Sequence, residues 1–173
     1  MTSKVLDSQN VRLAVLWAGV YTAMTIGWAL LGSLLGMYDE RIRYSLAFNT
    51  GVLLPSLAVY AFAIRKMASG RAMTYRQRVL WGLVLTVFVT VLGPLYPLAS
   101  TVISPHYFEN AIRYTVDSGM MSEAEARQQL NLTTFIVQGI IAAPVFGLVL
   151  SAIAALFVRS HNADRSVVFQ AEC

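Results

Sequence analysis

The sequence predicts an all-α integral membrane protein: a four-helix bundle with two short amphipathic helices between its third and fourth spans. Three observations carry that prediction. The chain is 57% hydrophobic and only 13% charged, where an average soluble domain has ~25% charged residues. Its apolar residues gather in uncharged runs long enough to cross a bilayer, which takes ~20 residues in a helix. One of these runs, 133–158, carries a row of small residues four apart: Gly139, Ala143, Gly147, Ser151 and Ala155. Residues at i and i+4 share a helix face. Small side chains in such a row let a second helix approach closely, and this packing drives association in lipid. The whole chain, 1–173, is expected to form one membrane domain.

The first span is predicted at about 11–37. Its uncharged run exceeds the ~7–15 residues of a signal-peptide core, so it is read as an uncleaved helix. Gly32 and Gly36 form one GxxxG pair, and Gly19, Ala23 and Gly27 form a second small-residue row; both are expected to pack against neighbouring helices. A short charged loop follows, with Asp39, Glu40, Arg41 and Arg43 flanked by Tyr38 and Tyr44, as suits a membrane–water boundary.

The second span is predicted at about 44–64, kinked by Pro55, which removes a backbone donor. The loop beyond it is the most basic, holding Arg65, Lys66, Arg71, Arg76 and Arg78 without an acid. Thr74 followed by Gln77 has the spacing of a capping box and opens the third span, about 75–98. Gly93, Pro94 and Pro97 predict a distorted or broken end to it.

Residues 104–127 are polar and amphipathic. Ser104 before Pro105 reads as a helix start, Gly119 as a stop, and Ser122 with Glu125 as a second capping box. The fourth span follows at about 131–158, and then a polar tail, 159–173. Four spans place both termini on one side, with Lys4, Arg12, Arg65, Lys66, Arg71, Arg76, Arg78, Arg159 and Arg165, against Arg41, Arg43, Arg113 and Arg127 on the other. The positive-inside rule then puts the termini in the cytoplasm and residues 104–127 on the opposite face.

Much chemistry is excluded by composition. None of the four apolar runs contains Asp, Glu, Lys, Arg or His, and such residues are what mark proton relays and ion pathways. His106 and His161 fall on opposite sides of the predicted membrane. The single cysteine rules out an intrachain disulfide. No phosphate loop, nucleophile elbow or zinc motif is present. No catalytic residue, metal site or cofactor is expected, and the chain is read as non-enzymatic. The bilayer is its expected partner, with a protein partner or a second copy docking on the small-residue faces; a role in binding nucleic acid is not expected.

One cluster of uncharged polar residues stands out. Asn49 and Thr50 lie just inside the outer end of span two, Tyr96 near that of span three, and Gln138 near that of span four. Asn49 and Gln138 are expected to face the bundle interior within hydrogen-bonding reach, directly or through one water. The cluster has two readings: interhelical glue, or a small outward-facing polar pocket roofed by residues 104–127. The first makes the protein a structural or interaction module or accessory subunit. The second makes it a carrier or binder of a small neutral or lipidic molecule.

Several segments together resemble a known family. They are ISPHYFENAI (103–112) followed by MSEAEA (121–126), the ending VFGLVLSAIAALFVR (145–159), GMYD (36–39) and MTYRQ (73–77). The chain resembles the small bacterial four-span membrane proteins grouped as domain of unknown function 4199. The resemblance implies four helices and a bacterial inner-membrane location, and no activity. It also implies a carboxylate in the first span and a histidine before the loop aspartate, where this chain holds Gly32 and Tyr38.

Overall fold

A computed structural model gives the fold, and residues 8–69 and 73–158 are described. Every regular element among them is helical: α1 (Ser8–Leu34), a 3-10 turn (Ile42–Tyr44), α2 (Ser45–Thr50), α3 (Leu53–Ala68), α4 (Tyr75–Leu92), α5 (Leu95–Ile103), α6 (Tyr107–Asp117), α7 (Glu123–Gln129) and α8 (Leu132–Phe157). Four stretches are long and apolar enough to cross a membrane: Ser8–Leu34, Ile42–Ala68, Tyr75–Leu92 and Leu132–Phe157. The protein is thus an all-α four-span bundle with α6 and α7 forming a cap at one end. Parts of the basic loop (70–72) and of the polar tail (159–173) lie outside the described residues.

Local signals explain most helix ends. Thr74 Oγ1 accepts from the Gln77 N–H while Gln77 reaches back to the Thr74 N–H, and Ser122 with Glu125 repeats the arrangement. Gly119, at φ +68, ends α6, with Met120 N–H bonded to the Thr115 carbonyl. Gly36 does the same for α1: at φ +68 it is the left-handed stop, with Met37 N–H bonded to the Gly32 carbonyl. The first span is therefore three residues shorter at this end than expected, and Gly36 is not a packing residue. Ser104 closes α5 rather than opening α6, whose preceding residue is His106; its Oγ instead donates to Ser33 Oγ, 2.9 Å away. The second span breaks at Gly51–Val52, ahead of Pro55, which sits in the first turn of α3 where a missing donor costs least. The third span breaks after Leu92 and resumes as α5, as Gly93 and Pro94 require.

The tightest packing lies in the half of the bundle away from the cap. There Tyr60, Ile64 and Met67 of α3, Trp81 and Leu85 of α4, Ala14 and Ala18 of α1, and Leu150 and Ala154 of α8 form the core. Along the α4–α8 seam the small residues alternate. A Cβ on Gly82 would run into Ser151, and one on Gly147 would run into Thr86. At the far end Arg78 Nη1 donates to the Ala155 carbonyl, one of the groups that the last turn of α8 leaves open, and Tyr75 Oη donates to the Ala152 carbonyl one turn earlier.

The α1 row reads differently from expectation. Gly19, Ala23 and Gly27 are exposed, and nothing stands within 4 Å of a Cβ placed on either glycine. The buried stripe is Ala14, Ala18 and Thr22, with Ala29 and Gly32 further on. Leu16, Leu54, Val87, Val102, Val145 and Leu156 are exposed around the bundle, the face that a bilayer covers.

Candidate functional site: a cavity beneath the cap

In the half nearer the cap the four spans separate. The residues of α8 from Thr133 to Phe146 are at most partly buried, whereas Gly147, Leu150, Ser151, Ala154 and Ala155 are fully packed. The space so left is a cavity of about 410 Å³. Its walls are Tyr21, Thr22, Thr25 and Trp28 of α1, Asn49 and Val52 beside the α2–α3 break, Val89 to Pro97 around the α4–α5 break, and Phe135 to Ala143 of α8.

The small-residue row of α8 therefore divides. Gly147, Ser151 and Ala155 pack into the seam, but Gly139 and Ala143 line the cavity, and a Cβ on Gly139 would meet nothing within 4 Å. These two are corrected from packing residues to cavity wall. The reason is the divergence of α8 from the bundle above Gly147, within which falls Pro144, a residue whose missing N–H weakens the helical ladder.

Of the four polar residues singled out in the sequence, Asn49, Tyr96 and Gln138 line the cavity. Thr50 does not: it is exposed and bonds back to the Leu46 carbonyl of its own helix at 2.8 Å. Asn49 and Gln138 face the same space without a direct bond. Asn49 Oδ1 instead accepts from Tyr38 Oη at 3.0 Å. Among the described residues nothing bonds to Asn49 Nδ2 or to the Gln138 amide.

Tyr38, read in the sequence as a boundary aromatic and as a departure from the resembled family's pattern, is not among the residues that the sequence assigns to the polar cluster. It is buried and links the cavity to its roof. Its ring meets Tyr107 edge-on at 5.1 Å, and Phe108 meets Phe135 edge-on at 5.2 Å. Asn110 Nδ2 donates to the Tyr38 carbonyl at 3.1 Å and to Asp39 Oδ1 at 2.8 Å, tying α6 to the loop. The two places where the chain departs from the pattern of the resembled family touch one another: a Cβ on Gly32 would lie 2.7 Å from the Tyr38 hydroxyl. Burial, with the neighbouring Tyr96 and Tyr107 hydroxyls, raises the Tyr38 phenol well above its ordinary value, so it stays a neutral donor. Between roof and helices lies a second space of about 40 Å³, edged by Tyr38, Asn49, Tyr96, Ser100 and Ser104, with room for an ordered water.

At the other end the cavity is closed by a polar contact set within the core. Tyr21 and Tyr60 meet edge-on at 5.9 Å, Tyr60 Oη and Thr86 Oγ1 share a hydrogen bond of 3.0 Å, and Ser56 Oγ donates to Tyr21 Oη at 3.4 Å. Trp28 is fixed against the wall by stacking on Phe48 at 4.9 Å and by donating Nε1–H to the Phe48 carbonyl at 3.2 Å. Among the described residues no charged side chain lines either space. Among the described residues there is no group of His, Cys, Asp and Glu able to hold a metal.

Fold and site together define a four-span helical membrane protein with an uncharged cavity between its spans. The family model described as Protein of unknown function (DUF4199) matches residues 16–160, and the chain belongs to that family. No curated protein and no solved structure matches the chain.

Proposed function

We propose that this protein is a non-enzymatic binder or carrier of a small neutral or lipidic molecule, held in the cavity beneath its cap. The observation that supports this reading over a purely structural module is the cavity itself. At about 410 Å³ it falls in the size range of ligand pockets, ~300–1,000 Å³. Its walls are apolar and aromatic, with a few converging polar groups, the make-up of such pockets. A bundle that only held partners together would gain by filling this space, since voids forfeit packing energy. The chain instead places Gly139, Ala142 and Ala143 there.

The lack of charge at the walls selects a neutral occupant. The positive-inside rule supports a cavity in the outer half of the membrane, with both termini in the cytoplasm, and the family resemblance supports a bacterial inner membrane. The test is native mass spectrometry of the protein purified in mild detergent, beside a variant with Gly139→Phe and Ala143→Phe that plugs the space. A small molecule retained by the native chain and lost from the folded variant supports the reading. A stable oligomer or a stoichiometric protein partner, with no such molecule, favours the interaction module instead.

A further inference from the structure

The hydrogen bonds around the cavity say more about its occupant. The geometry points to a molecule with an uncharged carbonyl oxygen at its outward end and an apolar body reaching toward mid-membrane; this rests on the binding role proposed above.

The argument begins at Asn49. An amide offers one acceptor oxygen and two donor hydrogens. Tyr38 Oη already donates to its oxygen, and Tyr38 is itself held by the Asn110 bond to its carbonyl. The side chain is thereby oriented, its oxygen engaged and its Nδ2–H unspent. Thr22 and Thr25 spend their hydroxyl protons on carbonyls of their own helix, Ala18 and Thr22. Gln138 adds a second unspent amide on the facing wall. A donor left unpaired in an apolar setting costs free energy, and a carbonyl acceptor, uncharged like the walls, satisfies it.

Depth sets the orientation. At ~1.5 Å per residue, Asn49, Tyr96 and Gln138 lie roughly 6–10 Å inside their helix ends. Further in, Val89, Leu92, Ala142 and Ala143 are apolar, and the Tyr21 and Thr22 hydroxyls at the inner end are engaged with Ser56 and the Ala18 carbonyl. The polar group of the occupant therefore belongs at the cap end.

The test compares 1-tetralone with tetralin, two rings of nearly one shape that differ by a carbonyl. Binding to the full chain is measured by calorimetry in detergent, with each affinity corrected for partition into empty micelles. The native chain should prefer tetralone by about three- to tenfold, the worth of one hydrogen bond. Gln138→Leu and Asn49→Leu should each shrink the ratio of tetralone to tetralin affinity. Gln138 is exposed, so its variant keeps the test sound if Asn49→Leu fails to fold. A third arm uses dioctanoylglycerol. Binding tighter than tetralone assigns the carbonyl to a lipid ester, and weaker binding assigns it to a ring compound. Equal affinity for tetralone and tetralin in the native chain overturns the carbonyl assignment while leaving cavity binding intact. Failure of every probe to bind, with the plugged variant behaving like the native chain, overturns the binding role as well.

Discussion

The Thr86 side chain occupies the space that a side chain on Gly147 would need: a Cβ built there would stand 2.8 Å from Thr86 Cβ and closer still to its two outer atoms. Thr86 cannot readily yield. Its Oγ1 is bonded to the Gly82 carbonyl at 2.9 Å and to Tyr60 Oη at 3.0 Å. We expect Gly147→Leu to destabilise the bundle by about 3 kcal/mol or more, at the upper end of overpacking costs. Leu148→Ala should cost far less, because Leu148 is exposed and a lipid tail replaces its contacts. Thermal melting in detergent separates the two.

The same row gives the opposite result one segment away. Gly139→Leu enters open space and should leave melting within about 0.5 kcal/mol of native, as substitutions free of steric conflict do. A marked loss of stability would mean that α8 closes on the bundle at this level.

That contrast shows what the sequence discloses and what it hides. The row from Gly139 to Ala155 is visible as a pattern, but where it stops packing depends on the course of the helix axis. Apolar composition does not separate lipid-facing from helix-facing positions, because both are apolar in a membrane. Hence Gly19, Ala23 and Gly27 attract notice while Ala14, Ala18 and Thr22 do the packing. Capping boxes at Thr74 and Ser122 are legible because their partners are three residues away. Asn49, Tyr96 and Gln138 are legible because uncharged polar residues are conspicuous in apolar runs. The bond from Tyr38 to Asn49 and the cavity arise only when distant segments meet.

Replacing Asn49 and Gln138 together with leucine should leave a folded protein of similar stability, with a change of about 1 kcal/mol or less beyond the loss of the Tyr38 bond. The same variant should lose any retained small molecule. Unfolding of the double variant, seen by circular dichroism, would show that the amides hold the helices together.

Topology is open to direct labelling. Cysteine introduced at Ser118, beside the glycine that ends α6, should react with an impermeant thiol reagent on whole cells. Cysteine at Ser69, beyond α3, should react only after the membrane is opened. The reverse pattern would invert the orientation proposed for the cavity.

The roof should respond to alkali. Burial raises the Tyr38 and Tyr107 phenols above their ordinary value near 10. For a group whose folded-state value is raised, stabilisation is complete below the unfolded value and is lost as pH rises through the folded one. Melting should therefore be insensitive to these groups up to about pH 10 and fall above it. Tyr107→Phe should soften that fall; an unchanged alkaline profile in this variant would exclude Tyr107 from it.

The contact between Gly32 and Tyr38 has a consequence for substitution at either position. A side chain at position 32 would need the space held by the Tyr38 ring and by Phe48, 2.7 and 2.8 Å from a Cβ there. A carboxylate at position 32 is therefore excluded here unless both the Tyr38 ring and Phe48 move, so the glycine and the tyrosine of this chain are kept together. Losing Tyr38 would also free the oxygen of Asn49, adding an acceptor to the wall. One exchange of volume across this contact would thus change the hydrogen-bonding character of the cavity wall together with its packing.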